Sequence, residues 1–382
     1  VHGALALLVS VVGPLALLGC AAPTEEPVVH QTDALHVDIS RHAAAYDYAE
    51  RNELVTAAAG DTDVVFVAEP LAGRVVALDR LTGAELGDLP APPDGWLLPF
   101  SLRVPQNGKL VVLDPGGLPA PGVPTVARVY DYDFRLRQHR LEATLSRTVR
   151  FDGLPLVFAE DVEVTASGTY VVAESFIGAL WLIAPDGTIT PGLFPDAAPI
   201  APLAPCTWPA TTVNGVPFGL DGGFASGVVA LAARGSDLFF APTCSGGVYR
   251  IPLATVTDPT RSPDDKAADI VPVSPRAATT PVETLEGITF NRFDRHDKYL
   301  YAADSLNLRV IRIDPDTGTR ETLLTDPVLF NFPVHPQFAP PVAGIAPLLV
   351  PSDQEYRSAI INQALDHDIF QPPWIVAKVV VF

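Results

Sequence analysis

The sequence predicts an all-β protein: a six-bladed β-propeller whose ring is closed by N- and C-terminal strands in one blade. Three observations predict it. One phrase recurs along the chain, an apolar β run stepping through small residues to a polar or acidic side chain, then a second β run closed by an acidic or Pro/Gly turn. The second runs begin at Arg74, Arg128, Ala179, Gly247 and Arg309, roughly 50 to 70 residues apart, which fits four short strands and their loops. The 39 prolines and 28 glycines would interrupt long helices repeatedly.

Each unit has its own justification. The runs Val75-Val76-Ala77-Leu78-Asp79, Val129-Tyr130-Asp131-Tyr132-Asp133, Leu180-Trp181-Leu182-Ile183-Ala184, Val248-Tyr249-Arg250-Ile251-Pro252 and Val310-Ile311-Arg312-Ile313-Asp314 are rich in β-branched and aromatic residues. A sixth unit is expected in Trp374 to Phe382, about one period after Arg309. Closure of the ring removes an open edge, so His36 to Ser40 or Leu54 to Ala58 is expected to pair beside that last strand. Glu69, Asp114, Glu174 and Asp304 each end a second strand. That recurrence predicts a structural role, accepting backbone N–H bonds at the turn to the third strand.

The 48% apolar and 18% charged composition supports a continuous core. A formal charge of -19 argues against nucleic acid and anionic headgroups as partners. Gly3 to Leu18 is an apolar stretch too short for a comfortable membrane span and reads as a secretory signal. Its end, Leu17-Leu18-Gly19-Cys20, resembles the bacterial lipobox, which implies cleavage before Cys20 and its lipidation; a plain signal peptide cut after Ala22 is the alternative. The expected organisation is a signal over 1–19, a lipid-anchored tether over 20–34 and one propeller domain over 35–382, monomeric. Ala21 after the cysteine favours, by the habit of such lipoproteins, the outer membrane in a Gram-negative cell. Cys206 and Cys244 are then an even pair in an oxidising compartment, expected to bridge and to pin the Pro-rich insertion Pro191 to Pro217.

Leu285-Glu286-Gly287-Ile288-Thr289-Phe290 followed by Lys298-Tyr299-Leu300-Tyr301-Ala302-Ala303-Asp304-Ser305 resembles the inner two strands of a blade in the senescence-marker-protein/gluconolactonase group. The resemblance extends to its NHL-repeat, paraoxonase-like and strictosidine-synthase-like relatives, and Glu160-Asp161-Val162-Glu163-Val164 and Ser226-Gly227-Val228 repeat the pattern. It covers most of residues 50 to 382. It implies six blades and, for the gluconolactonase-type enzymes, a divalent cation, often calcium, at the channel mouth on hard oxygen ligands, polarising an ester or lactone carbonyl. The matching metal-ligand positions are Glu160, Ser226 and Glu286, with Asn52 or Glu53 in the first blade. Glu286 stands where those enzymes usually place Asn, and Val342-Ala343-Gly344-Ile345 puts apolar Ala343 at the expected last-blade ligand.

No other constellation carries chemistry, and no catalytic residue is assigned. Gly223-Phe224-Ala225-Ser226-Gly227 has the wrong spacing for a nucleophile elbow, and Asp314-Pro315-Asp316-Thr317-Gly318 reads as a turn. His296, His335 and His367 read as solvated loop histidines, and Trp96, Trp208 and Trp374 as core. The expected function is an envelope-anchored binding scaffold for a protein, glycan or small ligand, with calcium or another divalent cation in the channel. The alternative is a calcium-dependent lactonase or esterase. The two differ in whether the mouth is open or plugged by the Pro191 to Phe224 excursion.

Overall fold

In a computed structural model, the described residues are 37–38, 44–46, 53–59, 62–80, 82–118, 125–196, 200–207, 210–219, 225–275, 283–341, 344–359, 361–362, 364–371 and 374–381. The signal, Cys20 and the whole of the expected tether lie outside them. Five four-stranded antiparallel sheets follow one another in sequence order. Blade 1 comprises Glu53–Ala59, Thr62–Glu69, Arg74–Asp79 and Glu85–Asp88; blade 2 comprises Ser101–Arg103, Lys109–Asp114, Arg128–Arg137 and Arg140–Arg150. Blade 3 is Ala159–Val164, Tyr170–Glu174, Ala179–Ile183 and Ile189–Leu193; blade 4 is Val228–Arg234, Asp237–Pro242, Val248–Pro252 and Val271–Ser274. Blade 5 is Leu285–Phe290, Leu300–Asp304, Arg309–Ile313 and Arg320–Thr325.

Blade 6 joins the two ends of the chain. Gln337–Phe338, Leu348–Ser352 and Trp374–Val381 supply its inner strands, and Val37–Asp38 and Ala44–Tyr46 both pair antiparallel with Trp374–Val381. The first of the two expected closing segments is therefore the one used. The innermost strands touch in a closed cycle, from blade 1 through blade 6 and back to blade 1. The protein is a six-bladed propeller.

Alternating side chains explain why such continuous apolar runs form strands. In blade 1, Val64, Phe66 and Ala68 face blade 2, packing with Tyr130, Tyr132 and Phe134, while Val65 and Val67 face blade 6 beside Ala339, Leu349 and Val376. Both faces of the sheet are buried, so apolar residues occupy odd and even positions alike. Analogous cores lie between blades 2 and 3, 3 and 4, 4 and 5, and 5 and 6. The ring is held by six such cores.

Three of the four acids ending second strands act as expected, while Glu69 accepts from the Arg74 guanidinium at 2.6 Å. Asp114 accepts the backbone N–H groups of Leu97, Leu98 and Gly116, and Glu174 those of Val157, Phe158 and Ile177. Asp304 accepts from Thr284 N and pairs with Arg309 at 2.7 Å. Each ties the turn of its blade, or the segment entering that blade, to the second strand. The Asp314 loop is a turn, its carboxylate accepting from the N–H groups of Asp316 and Thr317.

Candidate functional site

Bulges at the head of two inner strands place the first two acidic residues of the site. Ala159 pairs with Glu174 and Asp161 with Ala173, leaving Glu160 as the extra residue; Leu285 and Gly287 likewise flank Glu286. A bulge re-aims its side chain. Here both carboxyl groups enter the same end of the axial channel, where the pKa of Glu286 is raised by burial first and then by like charges that include Glu160.

A third carboxylate joins them from an element the sequence did not single out. Glu355 begins a short 3-10 turn, Glu355–Arg357, just after the second strand of blade 6, and its N–H donates to Asp353 Oδ1 at 3.0 Å. Its charge acts on both Glu160 and Glu286. Burial is the largest influence on all three: it pushes Glu160 up to about 8, Glu355 up to about 7 and Glu286 well above the ordinary carboxylate range. Glu160 is relieved in part by Ser175 Oγ, which donates to it at 2.9 Å. Glu286 Oε1 is buried with no hydrogen-bond partner among the described residues.

Gly287 makes this arrangement possible. A Cβ there would lie 2.4 Å from both the backbone N and the Cα of His335, so only glycine lets blade 6 approach the head of blade 5. The structure corrects the reading of His335. It is buried in the channel wall rather than solvated, and burial lowers its pKa to about 4. Pro333 and Pro336 suggested a loop, yet an innermost edge strand tolerates proline because its outer N–H groups face the channel. Pro333 bridges Ser352 as Ala159 pairs with Glu174 and Leu285 with Asp304. The blade 6 counterpart of Glu160 is therefore Val334, not Ala343, whose placement lies outside the described residues.

Ser226 is also displaced from the expected register. Val228 pairs with Pro242 and Ala230 with Ala241, so Val229 holds the position of Glu160 in blade 4. Ser226 lies before that strand, on a two-residue ladder with Cys206, and is a buried acceptor for Thr243 Oγ1 at 3.3 Å. Glu53 heads the innermost strand of blade 1 by backbone pairing with Ala68; its side chain, like Asn52, is outside the described residues. The structure thus brings Glu160 and Glu286 together, adds Glu355 and leaves Ser226 off the matching position.

A roof lies over this end. The excursion between blades 3 and 4 forms the hairpin Thr211–Val213 and Val216–Phe218, whose Val213 and Phe218 pack with Leu306, Phe332 and Tyr356 from blades 5 and 6. Asn214 Nδ2 donates to Pro327 O, and Asn362 Nδ2 to Pro217 O. The hairpin so crosses from the blade 3–4 connection to the loops that carry Glu355.

Below the carboxylates the channel wall is polar but paired. Asp161 accepts from Ser101 Oγ, the Arg103 guanidinium and Leu231 N at 2.7–2.8 Å, joining blades 2, 3 and 4. Arg103 and Ser101 carried no recognisable motif in the sequence. Among the described residues, no three His, Cys, Asp or Glu side chains stand in a metal-ligand cluster. The hard-oxygen donors and the unpartnered Glu286 oxygen suit a divalent cation in chemistry, but their spacing does not form a ready shell for it.

No known protein-family profile matches the chain, and no curated protein matches it in sequence. Its similarity is to solved propellers. The PQQ-bound aldose sugar dehydrogenase of Streptomyces coelicolor aligns over 91% of this chain and 99% of its own, with 14% identity and a TM-score of 0.54. Regucalcin of Agrobacterium tumefaciens, a calcium-binding protein, covers 88% and 95% at 14% identity and a TM-score of 0.50. A gluconolactonase of Xanthomonas campestris covers 89% and 91% at 13% identity and a TM-score of 0.50. The fold is shared; identities this low carry the fold alone.

Proposed function

We propose that the chain is an extracytoplasmic propeller acting as a ligand- or partner-binding scaffold, anchored to the cell envelope through a lipid on Cys20. In this reading Glu160, Glu286 and Glu355 tie blades 3, 5 and 6 together by sharing a divalent cation, calcium first, beneath the hairpin. One observation carries it: two buried carboxyl groups, Glu160 and Glu286, and the half-buried Glu355 converge under a roof formed by residues 211–218. Like charges this close favour either protons or a shared cation. A lactonase needs an open mouth with a vacant position for its substrate. The roof therefore favours the scaffold over the hydrolase.

The lactonase reading keeps one specific support, the pairing of Glu160 with Glu286 at the expected end of the channel. No hydrolytic step is derived through a metal, because the three acids do not form a ready coordination shell. The scaffold reading includes a Cys206–Cys244 bridge. Its supports are that Cys206 is a bonded cysteine rather than a free thiol, and that its strand touches the turn Thr243–Ser245.

The test is metal analysis of the purified full chain together with thermal unfolding in calcium and in chelator, alongside hydrolysis of a panel of lactones and aryl esters. The scaffold reading predicts a calcium-dependent rise in Tm and no turnover. Metal-dependent turnover abolished by Glu286→Gln would replace it with the lactonase; neither shift nor turnover would remove the cation from both.

A further inference from the structure

The channel has a second end, where arginines stand among the acids. A cavity of about 580 Å³ opens where the inner strands finish, lined by Arg103, Glu163, Arg234, Phe290 and Gln337 from the innermost strands of blades 2 to 6, with Arg292 just beyond. Its size is in the range of small-molecule sites. It lies on the propeller axis, away from the hairpin roof.

Charge is what distinguishes it. The chain as a whole carries -19, yet four arginines, Arg103, Arg234, Arg292 and Arg295, line this one cavity. Three acids, Glu163, Asp294 and Asp297, line it as well, and Arg103 is paired with Asp161 behind the wall. Asp297 accepts from Tyr299 N, Tyr301 Oη and Asn291 Nδ2, and Asp294 from His296 N. Glu163 accepts from Val164 N at 2.9 Å and stands 3.6 Å from Arg103 Nε, and burial pushes its pKa up to about 7, so its negative charge is incomplete at neutral pH. Arg234 is fixed by the carbonyls of Lys298 and Asp297 and stacks over Phe290 with 4.8 Å to the ring centroid. Arg292 is exposed to solvent and donates to Val104 O at 3.2 Å.

The geometry points to a second ligand site, in which this arginine-lined axial cavity binds a small hydroxylated carboxylate. Guanidinium groups supply the planar, charge-assisted donors that a carboxylate takes. Asn291, Thr289 and Gln337 on the same wall can meet hydroxyl groups. This inference rests on the scaffold reading only in that it supplies the scaffold with a ligand class; the cation beneath the hairpin is not needed for it.

The experiment is isothermal titration of the purified full chain with D-galacturonate and with its neutral twin D-galactose, at low and moderate salt. Galacturonate should bind at least about tenfold more tightly than galactose, since one missing charged hydrogen-bond set costs about this much or more, and binding should weaken with salt. Arg292→Gln should lower galacturonate affinity about tenfold, and Glu163→Gln should preserve or raise it. Calcium-dependent thermal shifts of both variants report whether they fold and whether the other end is intact. Equal affinity for the two sugars, no binding at millimolar galacturonate, or unchanged affinity in a folded Arg292→Gln variant would overturn the inference, while loss of the calcium response alone would count against the scaffold's cation and leave this site standing.

Discussion

Alkaline pH should destabilise this propeller through its carboxylate mouth. Glu160, Glu286 and Glu355 all hold protons more tightly when folded than the ordinary value of 4.5. Between pH 4.5 and about 8 the native state therefore binds more protons than the unfolded chain, and stability falls as pH rises. Displacement of Glu160 from 4.5 to about 8 corresponds to roughly 5 kcal/mol at about 1.4 kcal/mol per pH unit, lost by the time pH exceeds 8. The three acids titrate as a set, so their individual contributions do not add. The assay is urea unfolding in chelator at pH 5, 7 and 9. Glu286→Gln removes one member of the set and should reduce the fall between pH 5 and 9 by about half. Stability that is flat or rises over this range, or a folded variant with the parent's pH slope, would refute the placement of these groups.

Other expectations follow from packing. Phe66→Ala, which empties an edge-to-face contact with Phe134 at 4.7 Å between blades 1 and 2, should cost about 3–5 kcal/mol in urea unfolding. Asp161→Asn breaks the shorter of the two ion pairs of buried Arg103, leaving Glu163 at 3.6 Å, and should cost about 3 kcal/mol by the same measurement. Gly287→Ala should lower Tm and weaken any calcium response, because its methyl group would displace His335 and the head of blade 6. Deleting residues through Tyr46 exposes the edge of Trp374–Val381; light scattering during thermal unfolding should show earlier aggregation.

Most of the fold was legible because each blade buries both faces. The doubled apolar runs around Val64, Val111, Val171, Phe239 and Tyr301 gave strands no alternative, and the acids ending them marked the turns. The last blade was harder. Pro333 and Pro336 hid its innermost strand, which moved the expected ligand position to Ala343 and made His335 read as solvated. Register was the second loss. Only cross-strand pairing, Val228 with Pro242 and Ala230 with Ala241, shows that Val229, three residues beyond Ser226, matches Glu160, because the position of a bulge is set by register and not by the local sequence pattern. Glu355 had a usable signal: Leu348-Leu349-Val350-Pro351-Ser352-Asp353 is one more β run ending in an acid, with Glu355 two residues on. The Arg103–Asp161 pair had none, because it is made by residues from different blades.

Calcium titration by calorimetry at pH 7, in two buffers of different protonation enthalpy, tests the carboxylate mouth most directly. A cation that replaces protons on Glu160, Glu286 and Glu355 must release them, so the apparent binding heat should differ between the buffers, and Glu286→Gln should weaken binding at least about tenfold. Binding heats identical in both buffers, or calcium affinity unchanged by Glu286→Gln, would contradict the assignment of these three residues as the cation site.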